Sequence, residues 1–197
     1  LSQLMVSALK IEIQLQELFK KKEYSRVVLE ITSKTNKEER SSSLCNLLGI
    51  SRIEGNKNDK DAILLALKDF KYGYLKERKT VHAIDSLTNL IIASISLGDL
   101  DKDYKIDFND LINLYESSKE YCLNHRTIHV AMTMIYKRLN YAEKTIFHLN
   151  KIIKGKNFNV FDLCNYGYWR NYDRDWKQSD FFNYGKFLDE NLKKISP

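Results

Sequence analysis

Helix-breaking residues are almost absent from this chain of 197 residues. It contains seven glycines, and its single proline is the last residue, Pro197. Glycine and proline disfavour a helix interior more than any other residues, so long helical segments are the default conformation here. Apolar residues recur at helical spacing along most of the chain, as at Leu44, Leu47, Leu48 and Ile50. We therefore predict an all-α fold of eight or nine helices in antiparallel succession.

Charge and cysteine content indicate which partners and which cellular compartment to expect. The net charge is +6, but the basic residues are spread along the chain, so this footprint does not favour a nucleic-acid partner. The three cysteines, Cys45, Cys122 and Cys164, are odd in number and far apart, which is typical of core thiols in a reducing compartment. No run approaches the roughly 18 consecutive apolar residues of a membrane span. We expect a cytoplasmic protein without a membrane partner, and the missing initial Met suggests a piece of a longer one.

The helical pattern also repeats along the chain. When Gln14, Leu48, Leu90 and Met132 are aligned, the steps between them are 34, 42 and 42 residues. Each of these anchors is followed by a predicted turn, at residues 22–24, 55–56, 98–100 and 140–141. A single helical hairpin cannot bury its apolar face alone, so a repeat of this kind predicts stacked hairpins.

The anchor segments carry a family resemblance. Leu47-Leu48-Gly49 in a first helix and Gly98-Asp99-Leu100 at a turn resemble the tetratricopeptide repeat family over roughly residues 8–154. This resemblance implies a superhelical solenoid over residues 1–157, with a concave face that binds a peptide or protein. The first-helix residues that it would place on this face are Asn46, Ile50, Asn89, Val130, Met134 and Lys137.

Aromatic residues are concentrated near the carboxyl end. Residues 158–187 hold 11 of the 23 aromatic side chains, including both tryptophans. Aromatic side chains at this density usually bury against something. We predict that residues 158–197 form a cap that seals the last hairpin, with docking of a following domain or stacking on a sugar or base as the alternatives.

An acidic segment between two predicted helices resembles the calcium loops of EF-hand and dockerin proteins over twelve residues. Calcium takes six to eight oxygen ligands, and such loops supply carboxylates at alternate positions together with one backbone carbonyl. The residues on this pattern are Asp99, Asp101, Asp103, Lys105 through its carbonyl, Asp107 and Asp110. Tyr104 stands where the motif expects glycine. The alternative is a solvated turn in which Asp107 caps the second helix.

No catalytic motif is recognisable, so we expect no catalytic residue and, apart from calcium, no cofactor. His125 and His129 are four residues apart, but no third metal ligand is evident, and His82 and His148 stand alone. The first functional hypothesis is a protein-interaction scaffold. The second is the accessory, substrate-recognising region of a larger transferase, such as a Spindly-like protein O-glycosyltransferase. A third is a calcium-dependent interaction module, and the sequence does not define the oligomeric state.

Overall fold

The computed structural model describes residues 3–154 and residue 190, with side chains from residue 10 onward. These residues form helices and turns and contain no strand, which confirms the predicted all-α class. The α-helices are α1 (Gln3–Lys20), α2 (Tyr24–Lys34), α3 (Ser42–Gly55), α4 (Lys60–Lys76), α5 (Val81–Leu100), α6 (Phe108–Glu116), α7 (Arg126–Arg138) and α8 (Ala142–Lys154). Short 3-10 helices span Lys37–Glu39 and Lys119–Tyr121. The predicted aromatic cap at 158–197 and the boundary at residue 157 lie outside the described residues.

The chain divides into two compact units, Leu1–Ser118 and Lys119–Pro197. The first unit contains α1 to α6, and the described part of the second contains α7 and α8. Within the first unit α2 packs on α3, α3 on α4, and α5 on both α3 and α4. Within the second unit α7 and α8 pack against each other. Both units are therefore built from consecutive helices that pair as neighbours.

Side-chain caps define where most of these helices begin. In each case a side-chain atom accepts a hydrogen bond from a backbone N–H in the first turn, which satisfies a donor that has no partner within the helix. The capping residues are Ser41 for α3, Asp59 for α4, Thr80 for α5, Asp107 for α6 and His125 for α7.

Two hairpins, one in each unit, share the same turn. After α1, the N–H of Glu23 bonds to the carbonyl of Leu18 at 3.0 Å, and Lys22 has a positive φ of 60°. After α7, the N–H of Tyr141 bonds to the carbonyl of Tyr136 at 2.9 Å, and Asn140 has a φ of 57°. This pattern is the Schellman motif, which ends a helix and reverses the chain. The predicted turns at 22–24 and 140–141 are confirmed.

The predicted turn at residues 98–100 is wrong, because α5 continues through Leu100. Gly98 lies inside the helix, where a Cβ atom would come within 2.6 Å of the Cδ1 atom of Ile106. The glycine therefore permits close packing of the following loop instead of making a turn. The helix ends at Leu100, and residues 101–107 form a longer connection to α6.

The core of the first unit is centred on α3, α4 and α5. Fully buried side chains from these three helices include Leu48, Phe70, Tyr74, Leu87 and Ile91. α5 is the one described helix that is long and apolar enough to cross a membrane, and 61% of its apolar segment is buried inside the protein. Its packing against both α3 and α4 accounts for that apolar composition.

Two glycines allow α3 and α4 to approach closely. A Cβ atom on Gly49 would lie 2.4 Å from the ring of Phe70, and one on Gly73 would lie 2.8 Å from the Cβ atom of Cys45. The hydroxyl of Ser42 donates to the carbonyl of Gly73 at 2.5 Å, so the two backbones are also joined directly. The free thiol of Cys45 is buried at this contact, as the sequence predicts.

Candidate functional site

Helices α3 and α5 lie side by side and run in the same direction. The hydroxyl of Ser86 donates to the carbonyl of Ser42 at 3.5 Å, and Nδ2 of Asn89 donates to Oδ1 of Asn46 at 2.8 Å. These two pairs are 44 and 43 residues apart in sequence, so the register between the helices is nearly constant. Two of the predicted binding residues, Asn46 and Asn89, are thereby brought into direct contact.

The surface around this asparagine pair is half-buried. Ile50 follows Asn46 by one turn of α3, and Ile92 follows Asn89 by about one turn of α5, and all four side chains are partly accessible. We call the surface formed by Asn46, Ile50, Asn89 and Ile92 the amide face. The predicted binding residue Ile50 belongs to it, whereas Ile92 was not predicted, although its helical spacing from Asn89 was a usable signal.

The amide face combines unused hydrogen-bonding groups with an absence of charge. The hydrogen bond within the pair uses Nδ2 of Asn89 and Oδ1 of Asn46, and among the described residues the other two amide atoms, Nδ2 of Asn46 and Oδ1 of Asn89, have no hydrogen-bond partner. No charged residue occurs at positions 41–51 or 86–98. Within the described part of the chain, one amide donor and one amide acceptor therefore lie beside two partly accessible isoleucine side chains.

The remaining predicted binding residues lie on α7, in the second unit. Val130 packs against the α8 cluster of Ile146, Leu149 and Ile152 and so belongs largely to the hairpin core. Met134 and Lys137 are half-buried. Burial lowers the pKa of Lys137.

The acidic segment predicted to bind calcium comprises the end of α5, the connection after it and the start of α6. Asp99 lies in α5, Asp101 follows that helix as its cap, and Asp107 caps α6 by accepting the N–H of Asp110 at 2.9 Å. The predicted alternative, in which Asp107 is a helix cap, is thus confirmed. Backbone N–H donation from Asp103 and the nearby ammonium of Lys60 lower the pKa of Asp101.

Two lysines pair with carboxylates of this segment. Nζ of Lys60 lies 3.3 Å from Asp101, and Nζ of Lys71 lies 2.8 Å from Asp110. Tyr104 is not among the described non-glycine residues with positive φ, whereas an EF-hand loop requires that conformation at this position. Across the described residues, no three His, Cys, Asp or Glu side chains converge to hold a metal ion. Calcium binding stays a prediction for Asp99, Asp101, Asp103, Lys105, Asp107 and Asp110.

His125 and His129, which are four residues apart in sequence, have different partners. His125 caps α7, since its Nδ1 accepts the N–H of Ile128 at 3.1 Å. His129 is instead paired with His148 of α8, and their Nδ1 atoms are 3.0 Å apart. His148, which the sequence leaves isolated, is therefore part of a buried pair. Its position next to Leu149 in the apolar stripe of α8 was the only local signal for its burial.

Burial dominates the electrostatics of this histidine pair. Desolvation, followed by the influence of His129 and the lysines of α8, lowers the pKa of His148 to about 3. Desolvation also lowers the pKa of His129, although the nearby carbonyls of Leu123 and Cys122 oppose the shift. Both imidazoles are therefore neutral at pH 7 in the folded hairpin.

Comparison of the chain with protein family models, with curated proteins and with solved structures gives no match.

Proposed function

We propose that the chain is a binding scaffold in which tetratricopeptide-like helical hairpins hold an uncharged peptide or protein segment on the amide face. The observation that carries the proposal is the 2.8 Å hydrogen bond between Asn89 and Asn46, which joins two parallel helices and leaves one amide donor and one amide acceptor without a partner among the described residues. In this proposal the amide face is the concave surface of a superhelix, and the chain acts by binding without catalysis.

The chemistry of the amide face matches that of a peptide backbone. A main-chain carbonyl can accept from Nδ2 of Asn46, and a main-chain N–H can donate to Oδ1 of Asn89. Each such hydrogen bond contributes about 0.5–1.5 kcal/mol net. Apolar side chains of the ligand would cover Ile50 and Ile92, and burial of each such group adds about 1.5–3 kcal/mol. A charged ligand residue would lose its hydration here without gaining a partner.

Further features support the repeat and the cellular location. The Schellman turns after α1 and α7 occur at equivalent points of two hairpins, as a repeated unit requires. Met134 and Lys137 are the α7 counterparts of the amide face, since Val130 packs against α8. The thiols of Cys45 and Cys122 are buried and are not joined to each other by a disulfide, which fits the proposed cytoplasmic environment.

The test is selection of peptides from a random displayed library on the immobilised chain. We expect the enriched peptides to be uncharged at their centre and to bind Ile50→Lys at least tenfold more weakly than the wild type. Leu29→Lys is the control because Leu29 lies on α2 and is 63% exposed. Equal binding to the wild type, to Ile50→Lys and to an Asn89→Asp variant would overturn the proposal, and circular dichroism verifies that each variant is folded.

A role as the accessory region of a larger transferase is the second candidate. The same face would then hold the acceptor peptide of that enzyme. In the full-length protein, Ile50→Lys should raise the KM for a peptide substrate and leave the kcat unchanged, because the variant removes only binding.

A further inference from the structure

A pair of buried imidazoles joins the two helices of the second unit. The side chains of His129 on α7 and His148 on α8 belong to residues that are only 3% and 2% exposed. Their Nδ1 atoms are 3.0 Å apart, which is a hydrogen-bond distance. One Nδ1 atom must carry a proton and donate it, and the other must be unprotonated and accept it. The hydrogen bond therefore requires a single proton between the two Nδ1 atoms.

Aromatic rings lie against the imidazole of His148. The ring of Tyr136 stacks on that of His148, with centroids 5.5 Å apart and an interplanar angle of 14°. The ring of Phe147 meets the same imidazole edge-on at 5.1 Å. Nε2 of His129 is buried and has no hydrogen-bond partner of acceptable geometry within the described residues. Protonation of both rings would place an N–H on each Nδ1 atom and set one N–H against the other.

The charges near the pair also oppose protonation. Among the described residues, the charged or titratable neighbours that act on the two rings are Lys144 and Lys151 of α8 and His125 at the start of α7, and each of them disfavours the protonated form. Residues 119–154 contain seven Lys and Arg against two Asp and Glu, a net charge of 7 − 2, or +5. A positive local potential of this kind makes an additional proton less stable.

We propose that the His129–His148 pair is a proton-sensitive lock, which holds α7 against α8 at neutral pH and releases the hairpin in mild acid. The lock is independent of the amide face and of the proposed function. In the open hairpin both imidazoles are hydrated, and each takes up one proton from solvent as the pH falls. The hydrogen bond between the Nδ1 atoms breaks, and two imidazolium groups repel each other and the neighbouring lysines.

The direction of the pH dependence follows from linkage. Both histidines have a lower pKa in the closed hairpin than the ordinary value of 6.5, so the open state binds more protons in acid. The stability that they contribute is complete above about pH 6.5 and is lost as the pH falls below that value. Because the pKa of His148 is lowered to about 3, this histidine alone should raise the opening equilibrium constant about tenfold between pH 7.5 and pH 5.5, and the lowered pKa of His129 adds to that rise.

Hydrogen exchange measured by mass spectrometry at pH 7.5 and pH 5.5 tests the lock in the wild-type chain. After correction for the pH dependence of intrinsic amide exchange, we expect protection of α7 and α8 to fall at least about tenfold. The α3–α4 hairpin is an internal control because residues 42–76 contain no histidine. A loss of protection no greater than that of α3–α4 would overturn the proposal. The buried thiols of Cys122 and Cys45 provide a second readout, with one in each unit.

Variants separate the lock from the other histidines. His125→Asn keeps an acceptor at the start of α7 but does not titrate, so the acid response should persist in it. If the response disappears in His125→Asn, the cap and not the buried pair is responsible. The double variant His129→Asn, His148→Asn should lose the pH dependence, whatever its overall stability. If that variant does not fold, imidazole resonances of the wild type decide: titration of His129 and His148 near pH 6.5 without loss of hairpin protection contradicts the lock.

Discussion

The α3–α5 region and the α7–α8 hairpin are built alike and differ in the polar groups that they bury. In the first unit, the buried polar side chains are hydroxyls, such as those of Ser42, Ser86 and Ser94, which bond to backbone carbonyls. In the described part of the second unit, the buried polar set includes His129 and His148. Hydroxyls do not change charge between pH 5 and pH 8, whereas histidine does.

The two regions also differ in net charge. Residues 1–118 contain 18 basic and 18 acidic side chains, a net charge of 18 − 18, or 0, whereas residues 119–154 carry +5. The uncharged centres of α3 and α5 suit an uncharged ligand, and the cationic surroundings of the histidine pair disfavour an added proton. Helices that pack in the same way can thus be expected to differ in their response to pH, because that response depends on a few polar groups and on the local charge.

The largest expected effect is loss of the first unit's core. Leu48 and Leu90 are 0% and 4% exposed, so Leu48→Ala and Leu90→Ala should each reduce the free energy of unfolding by about 2–5 kcal/mol. Chemical denaturation measures the loss, with Leu29→Ala, at an exposed site, as a control that should change it by less than about 0.5 kcal/mol. A small effect at Leu48 would show that the α3–α5 region is not the stable core of its unit.

Gly49→Ala should come next. A Cβ atom at this position would lie 2.4 Å from the ring of Phe70, which is itself 1% exposed and cannot move easily. We expect a cost of about 1–3 kcal/mol, as for other overpacked cores. Gly55→Ala is a matched comparison because its nearest neighbour, the Cβ atom of Tyr24, is at 3.2 Å. Thermal melting of both variants gives the difference, and equal melting temperatures would contradict close α3–α4 packing.

The helix caps of the two units provide a sharper comparison. Asp107→Ala removes the cap of α6 and His125→Ala removes that of α7, and each should cost about 0.5–2 kcal/mol at pH 7.5. Chemical denaturation of both variants measures the two costs. A cost within the measurement error at either position would show that its side chain does not stabilise the start of its helix.

Replacing the residues with positive φ should stabilise both units slightly. Lys22→Gly removes the steric cost of a positive φ after α1 and should raise the free energy of unfolding by about 0.5–1 kcal/mol. Asn140→Gly should gain less, since asparagine tolerates this conformation better than lysine. Melting temperatures of the two variants test the order, and a destabilised Lys22→Gly would argue against the shared Schellman turn.

The smallest expected effect concerns the acidic segment of the first unit. If calcium binds there with a Kd on the order of 10⁻³ M, then 1 mM calcium stabilises the folded chain by about 0.4 kcal/mol. Calorimetry with calcium, with magnesium, and with an Asp99→Ala, Asp101→Ala double variant measures this. An equal calcium-induced shift of the melting temperature in wild type and variant would show that the segment is a capped turn that does not bind calcium.

The sequence by itself determined the helical class and much of the local structure. Scarce glycine and proline, apolar residues at helical spacing and capping residues such as Asp107 act within a few positions of one another. The same locality explains why the turns at 22–24 and 140–141 were predictable. Gly98 was misread as a turn because its close neighbour, Ile106, comes from a separate segment, and no local pattern reports that approach.

Only the tertiary structure decided which side chains meet across helices. Asn46 and Asn89 were each predicted on the binding face, but their hydrogen bond depends on the register between α3 and α5, which packing of both helices against α4 sets. His129 pairs with His148 rather than with His125 because α7 and α8 bury one face of each helix against the other. These partners are 43 and 19 positions apart in sequence. They become neighbours because many side-chain contacts along whole helices together set the position of one helix against another, and a short sequence pattern does not contain that information.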